Sequence, residues 1–133
     1  LCVKLQKLAA YTRARQANAA RYRMLFAANH LDDVCSLPFQ DNKAVHVYNQ
    51  FGIRVGEGRR DALLQYLQAR NIGCEIYYPI PLHLQQCFKH LGYAAGSLPE
   101  TERACKEILH LPIYPELAID EQRRVVDAID QYY

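Results

Sequence analysis

The chain has 133 residues and a mass of 15.3 kDa, which favours a single domain. Half of the residues are hydrophobic and 23% are charged, a composition that argues against disorder. The longest charge-free apolar stretch, residues 76–88, contains two prolines and is too short to span a bilayer. No secretory signal pattern is visible, so we expect a cytoplasmic protein without a membrane anchor. The sequence starts at Leu1 and its only methionine is Met24, so we expect a piece of a longer product.

Positive charge is concentrated in the first part of the chain. Residues 1–29 contain six basic and no acidic residues, whereas the remainder contains ten basic and fourteen acidic residues. A basic helix can bind nucleic acid, but aromatic residues do not interleave with these arginines and the pI of 8.3 is mild. The pattern therefore favours contact with an acidic surface of the same or another subunit over a nucleic-acid interface.

The cysteine pattern is typical of reduced thiols that act as small hydrophobic residues. The five cysteines are widely spaced and form no CxxC pair: Cys2, Cys35, Cys74, Cys87 and Cys105. His83, Cys87 and His90 have the spacing of one helical face and could bind zinc. A fourth ligand is not evident and Pro81 precedes the cluster closely, so we expect ordinary packing and no metal site.

The first half of the chain predicts a long helix followed by alternating strands and helices. Residues 3–29 lack glycine and proline and are rich in alanine, which predicts one helix about 40 Å long. Residues 45–55 alternate between apolar and polar and predict a strand, with Asn49 interrupting its apolar face. A helix is predicted for 61–70 and a strand for 74–78. Because the connection between the two strands is long enough for a helical crossover, they could be parallel.

The second half predicts three further helices and one extended segment. A short helix is expected at 84–90, and residues 97–100 resemble a capping box with proline in the first turn of the next helix. Residues 109–114 are predicted to be extended, and a last helix to cover 120–132. The resulting order α-β-α-β-α-α-β-α predicts an α+β fold with a long N-terminal helix and further helices packed on a small sheet.

The most distinctive stretch is YYPIPLH at residues 77–83. Its two prolines stiffen the backbone, and tyrosine hydroxyls and an imidazole on a stiff loop suit the binding of a polar ligand. The sequence equally supports a purely structural interpretation, in which the stretch is a proline turn with tyrosines at its surface. Asn49 could point into a site between layers, although an asparagine satisfied by neighbouring backbone is favoured. We find no GxSxG motif, no cysteine–histidine nucleophile pattern and no carboxylate pair.

Three stretches carry a family resemblance, namely HVYNQFGIRV at 46–55, RRDALLQYLQARNIGCEIYYPIPLHLQ at 59–85 and LGYAAGSLPETERACKEILHLPIYPEL at 91–117. In this order they resemble the C-terminal part of the DegT/StrS-type nucleotide-sugar aminotransferases. The helix at 3–29 is similar to that family's helix between large and small domains. The resemblance implies that 1–133 is a single C-terminal domain of a larger enzyme, with 1–29 as the interdomain helix and the N-terminal lysine-bearing domain absent. The implied fold is that of the small domain of fold-type-I aminotransferases.

The resemblance also implies an activity and a cofactor. Such enzymes carry pyridoxal phosphate on a lysine in an SxxK segment and transfer an amino group, usually from glutamate, to a UDP- or dTDP-linked keto sugar for surface polysaccharide such as lipopolysaccharide. None of the five lysines here has a serine three residues before it. We therefore expect no catalytic and no cofactor-binding residue in this chain, no activity by itself, and a homo-oligomer such as a dimer.

Four residues are carried over as candidate substrate-binding residues. Tyr77 and Tyr78 match the family's residue–Tyr–Pro triplet, whose first position is commonly histidine, and the match places both beside the sugar-nucleotide pocket. Asn49 matches a strand position that is asparagine or histidine in relatives. His83, at the PLH position, is expected to line the pocket or to support the loop. The alternative function, of another class, is an interaction module that binds nucleic acid or an acidic partner through residues 1–29.

Overall fold

Helices pack on a three-stranded antiparallel sheet in the computed structural model, which describes residues 2–133 without the Val3 side chain. The helices are α1 Cys2–Leu5, α2 Leu8–Ala28, α3 Arg60–Gln68, α4 Pro99–Glu107 and α5 Ile119–Asp130. The strands are β1 Cys35–Ser36, β2 Phe51–Val55 and β3 Ile108–Leu111. Short 3-10 turns occupy Leu31–Asp33, Leu82–Leu84 and Gln86–Leu91. The predicted α+β fold class is confirmed.

The long N-terminal helix is interrupted. The single helix predicted for residues 3–29 is wrong, because Gln6 and Lys7 form a turn between α1 and α2. Leu5 and Leu8, on either side of this turn, are 60% and 51% exposed. Without burial of these leucines, little packing supports a continuous helix at this end. The remaining α2 has 21 residues and is therefore about 32 Å long.

Helix α2 is fixed to the body by one apolar stripe and by polar side chains. Its buried residues are Asn18, Ala19, Tyr22 and Phe26, and the Tyr22 ring stacks on that of Phe51 at 5.1 Å. The Tyr22 hydroxyl donates to the Pro112 carbonyl at 2.9 Å, and the Asn18 amide donates to the Tyr114 carbonyl at 2.8 Å.

The sheet has the order β1-β2-β3 and is antiparallel throughout. Phe51 pairs with Leu111 and Arg54 with Ile108. Residues 74–78 do not form a separate strand parallel to β2, and that prediction is wrong. Strand β3 lies next to β2, so this segment reaches only the free edge of β3, through one antiparallel bridge between Glu75 and His110. Pro79, which lacks an N–H, follows shortly afterwards and disfavours longer pairing.

The strand predicted for residues 45–55 is confirmed only over β2. Val45 and Val47 are 82% and 49% exposed, whereas Tyr48 is buried with a positive φ of 46°. The carbonyls of the preceding residues bond to α2 rather than to a neighbouring strand. Arg15 donates to the Val47 carbonyl at 3.0 Å, and Gln16 donates to the His46 carbonyl at 2.9 Å. These contacts from outside the segment override its alternating pattern.

The start of α4 differs from the predicted capping box at residues 97–100. Leu98, not Ser97, directly precedes the helix, and the apolar side chain of Leu98 cannot cap it. Instead, the Glu102 carboxylate reaches back and accepts the backbone N–H groups of Gly96, at 2.8 and 2.9 Å, and of Leu98, at 3.3 Å. The helix predicted for 84–90 is replaced by 3-10 turns.

The core lies between the sheet and α2, α3 and α5. Its fully enclosed hydrophobic side chains include Phe51, Ile53, Leu63, Leu67, Leu109, Val126 and Ile129. The predicted helices at 61–70 and 120–132 are confirmed as α3 and α5, within one or two residues at each end. Within residues 2–133, no helix has the length and hydrophobicity needed to cross a membrane.

Candidate functional site

A polar hollow of about 190 Å³ lies at the free edge of β3. Its walls come from the segment before β2, from the bridged segment around Glu75, and from the end of β3. The side chains that can hydrogen-bond a ligand there are Asn49, Gln50, Glu75, Tyr77 and His110. Of the four predicted site residues, the structure brings Asn49 and Tyr77 together in this hollow.

Asn49 reaches the hollow because of the tight conformation of Tyr48. The Tyr48 N–H donates to His46 Nδ1 at 2.9 Å, and its hydroxyl donates to Gln40 at 2.8 Å. The side chain of Tyr48 is thereby turned into the core, which leaves Asn49 exposed at the rim of the hollow. Asn49 therefore does not interrupt the apolar face of a strand; it follows a left-handed residue in an irregular segment.

Tyr77 also lines the hollow and is held by His110. The Tyr77 N–H donates to His110 Nδ1 at 3.3 Å, and the two rings lie 5.0 Å apart. Burial lowers the pKa of His110, with the backbone of Glu75 acting in the opposite direction. A neutral imidazole whose Nδ1 accepts a hydrogen bond carries its proton on Nε2. Sequence reasoning missed His110, and the only local signal was a histidine at a half-buried position of a short strand.

Tyr78 lies beside the hollow without lining it. Its side chain is 65% exposed, and its ring centroid is 5.9 Å from that of Tyr77 at an interplanar angle of 63°. The peptide bond between the two tyrosines is cis. Because it is largely exposed, Tyr78 offers an open aromatic surface next to the polar hollow.

His83 belongs to a different cluster at the far end of the loop. It is buried, its Nε2 lies 3.1 Å from a Glu102 oxygen, and its ring meets that of Tyr93 edge to face at 5.9 Å. The pKa of Glu102 is lowered by the backbone hydrogen bond from Gly96 and then by the hydrogen bond from His83. His83 does not line the hollow, and its contacts are those of a support for the loop.

The spacing that suggested zinc ligands does not form one face of a helix. His83 lies in one 3-10 turn, Cys87 and His90 lie in the next, and Gln85 between them is extended. His90 Nδ1 lies 3.1 Å from the Cys87 carbonyl. Among the residues searched within 2–133, no group of three or more histidine, cysteine or acidic side chains could hold a metal ion.

Two cysteines are poor nucleophiles because they are buried. Burial raises the pKa of the Cys74 thiol to about 12 and also raises that of Cys35. Both thiols therefore stay protonated at neutral pH, and a protonated thiol is unreactive.

Half of the positive charge in residues 1–29 is engaged within the chain. Arg15 bonds to the Val47 carbonyl, Arg21 bonds to Gln122 at 2.5 Å, and Arg23 bonds to the Pro38 carbonyl. These guanidinium groups bind parts of the same fold, which leaves fewer charges for an external acidic partner.

The fold resembles about a third of several solved structures, including aminotransferases of known family. The crystal structure of S. venezuelae DesV in complex with a ketimine intermediate superposes on 98% of this chain with a TM-score of 0.88 and 32% sequence identity. The match covers 34% of the DesV chain. NtdA from Bacillus subtilis, solved with bound pyridoxamine phosphate, matches 92% of the chain with a TM-score of 0.79 at 28% identity, using 28% of its length.

The family itself is established by sequence. The model of the DegT/DnrJ/EryC1/StrS aminotransferase family matches residues 1–130, so the chain belongs to this family and the resemblance seen in its motifs is confirmed.

Two relatives illustrate the match. A pleiotropic regulatory protein of Geobacillus stearothermophilus is 40% identical over the whole chain, which covers 35% of that protein. A dTDP-3-amino-3,4,6-trideoxy-α-D-glucose transaminase of Micromonospora megalomicea subsp. nigra is 39% identical over 95% of the chain and is covered to 33%. The chain thus spans about a third of the length of these relatives.

Proposed function

We propose that this chain is the small domain of a PLP-dependent aminotransferase that transfers an amino group, from glutamate, to a nucleotide-linked keto sugar. The observation that carries the proposal is the match of 99% of the chain to 34% of the length of a DegT/DnrJ/EryC1/StrS aminotransferase, with a TM-score of 0.86. Two of the relatives are named as transaminases of dTDP- or UDP-linked amino sugars, and a third is named as a 3-oxo-glucose-6-phosphate:glutamate aminotransferase. Within the enzyme, residues 1–29 join this domain to the lysine-bearing domain.

Within this proposal, the residues of this chain bind the substrate and take no part in holding the cofactor. Asn49 and Gln50 offer amides that both donate and accept, and Tyr77 offers a phenol, which together suit sugar hydroxyls or phosphate oxygens. The exposed Tyr78 ring offers a flat face for a sugar or a base. His83 supports the loop that carries both tyrosines, through its contact with Glu102.

The described residues do not fit the cofactor. None of the side chains that line the hollow within residues 2–133 is a lysine, and all five lysines are exposed. Pyridoxal phosphate supplies the electron sink for amino transfer in this class of enzyme. We therefore place it on a part of the full-length enzyme that this chain does not cover, and assign no catalytic role to the residues described.

Apolar side chains on two parts of the surface fit a role as a domain within a larger assembly. Ile80 and Leu82 in the loop are 54% and 64% exposed, and Leu5 and Leu8 flank the turn before α2. Neighbouring apolar side chains exposed in this way are typical of surfaces covered by another domain or subunit.

The binding test uses the 133-residue chain and the nucleotide sugars dTDP-glucose and UDP-glucose. We expect weak binding that shifts the backbone NMR signals of Asn49 and Tyr77, and we expect Asn49→Ala to weaken it by about tenfold or more. Asn42→Ala, which replaces an exposed asparagine outside the hollow, is the matched control and should bind like the wild type. Shifts confined to residues outside the hollow, or equal loss in both variants, would contradict the assignment.

The cofactor assignment is tested separately by adding pyridoxal phosphate to the chain. We expect no stoichiometric aldimine absorption near about 410–430 nm, because the family lysine is missing. A strong band that borohydride abolishes would show that a lysine of this chain binds the cofactor.

Self-association follows from the uncovered apolar surface. We expect the chain to form dimers or larger species at high concentration, and Leu5→Asp or Leu8→Asp to shift it toward monomer because each places a charge at the exposed turn. Sedimentation analysis measures this. A wild-type chain that remains monomeric throughout would refute the prediction.

A further inference from the structure

The loop that carries the two tyrosines is held at both ends by a histidine. At its start, Tyr77 donates its N–H to His110 Nδ1. At its end, His83 contacts the Glu102 carboxylate, which is itself fixed by the Gly96 and Leu98 backbone. Between these ends, two prolines limit the motion of the backbone. The two contacts differ chemically, because one uses a histidine as acceptor and the other brings a histidine to a carboxylate.

The position of His110 depends on a glycine in the neighbouring strand. His110 pairs with Gly52 of β2, and a Cβ built on Gly52 would lie 2.9 Å from His110 Nε2 and 2.7 Å from Ile108 Cδ1. A separation under 3.0 Å forces one of these groups to move. Gly52 therefore provides the space that the imidazole occupies while its Nδ1 accepts the Tyr77 N–H.

We propose that His110 is a positioning residue for the hollow, whose neutral imidazole, seated over Gly52, holds the Tyr77 amide and ring in place. Protonation of Nδ1 replaces the acceptor by a second N–H donor, so the contact with Tyr77 is lost. The His83 end of the loop is held by the Glu102 carboxylate, a contact that does not use a histidine nitrogen as acceptor from a backbone N–H. Acid thus releases Tyr77 while the loop stays attached at His83.

Burial favours the neutral form of His110, whereas a neighbouring carboxyl favours the charged form, and burial is the largest effect on the pKa. Glu75, on the segment paired with β3, and Tyr77 line the same hollow as His110, and β2 contributes the uncharged Gly52. Further along the same face of β2, Arg54 is already paired with Glu107 at 2.6 Å. Burial lowers the pKa of His110, which keeps the imidazole neutral at pH 7. This role concerns the loop itself and holds whether or not the ligand is a nucleotide sugar.

The main test follows the 133-residue chain by NMR between pH 8 and pH 5. In the wild type we expect the Tyr77 amide signal to shift with the same midpoint as the His110 ring. His110→Asn keeps an oxygen acceptor near the place of Nδ1 but does not titrate, so the Tyr77 signal should stay constant. His90→Asn, which replaces an exposed histidine outside the hollow, is the control and should behave like the wild type. A Tyr77 signal that ignores the titration of His110, or that moves equally in His110→Asn, would overturn the proposal.

A second test uses hydrogen exchange of the Tyr77 amide and does not depend on titration. We expect exchange to become about fivefold faster or more in His110→Ala, and to remain within about twofold of the wild type in His110→Asn. Gly52→Ala should mimic His110→Ala at this amide, and combining the two should add nothing, because both act through one contact. Additive effects, or unchanged exchange in His110→Ala with an intact fold, would refute the role.

Discussion

The packed body and the loop from residue 77 to residue 98 are built on different principles. In the body, α2, α5, β2 and β3 enclose side chains such as Phe51, Leu109 and Ile129 completely. In the loop, His83 is the one buried residue, although the segment is rich in tyrosine, leucine and proline. Apolar periodicity therefore determines the body, whereas two histidine contacts and one carboxylate hold the loop. Substitutions of enclosed side chains in the body should therefore destabilise the fold. The loop instead leaves apolar side chains at the surface, where another domain or subunit can contact them.

The largest expected difference concerns a leucine of each region. Leu109→Ala removes a fully buried side chain from β3 and should lower the free energy of unfolding by about 2–5 kcal/mol. Leu82→Ala, in the loop at 64% exposure, should change it by less than about 0.5 kcal/mol. Urea denaturation followed by circular dichroism measures both. Similar losses in the two variants would show that the loop is packed as part of the body.

A polar residue can also be essential to the body. The buried Gln122 accepts a hydrogen bond from Arg21 at 2.5 Å and donates to the Asn18 carbonyl at 2.9 Å. Gln122→Ala removes both of these buried hydrogen bonds, which should cost about 1–3 kcal/mol. The exposed Gln131→Ala is the control in the same denaturation series. An equal, small effect for both would mean that α2 and α5 are joined by apolar contacts alone.

The pH dependence connects the two regions through His110. Its pKa is lower in the folded state than the ordinary value of 6.5, so the unfolded chain binds more protons between the two values. The contribution of neutral His110 to the free energy of unfolding is fully present above about pH 6.5 and is lost as the pH falls below that value. Unfolding measured at pH 7.5, 6.5 and 5.5 should therefore show a steeper loss in the wild type than in His110→Asn. Parallel curves would contradict this.

The smallest global effect is expected for Glu102, where a local change is expected instead. Glu102→Gln removes the charge that draws Gly96, Leu98 and His83 together, so the amides of Gly96 and Leu98 should exchange faster. The midpoint of global unfolding should not move. Glu100→Gln is the matched control, because Glu100 is exposed and its ion pair is with Arg103. A lower unfolding midpoint in Glu102→Gln alone would show that the loop and the body unfold together.

The spacing of apolar residues along the sequence correctly predicted the helices that pack on the core through apolar side chains. In α5, Val125, Val126 and Ile129 repeat at helical spacing and are buried together. The pattern failed where distant polar groups decide the conformation, as at Tyr48, whose neighbours bond to α2. It also failed at residues 74–78, because a later strand occupies the place beside β2.

The same limit applies to the hollow. Asn49 and Tyr77 were found through a family motif, and the structure places both in one hollow, although their role in binding stays a prediction. His110 was missed because its importance depends on Gly52, which lies far away in sequence and becomes its neighbour only when the sheet forms.

Helix α2 has a consequence for how this sequence can vary. Its polar side chains bind main-chain carbonyls of other segments, those of Pro38, His46, Val47, Pro112 and Tyr114. A carbonyl oxygen is supplied by every residue type, so these acceptors survive most substitutions in the segments that carry them. Selection can therefore change the loops freely while keeping their path, provided that the donors on the helix are retained. New specificities could arise beside the hollow in this way without a new fold.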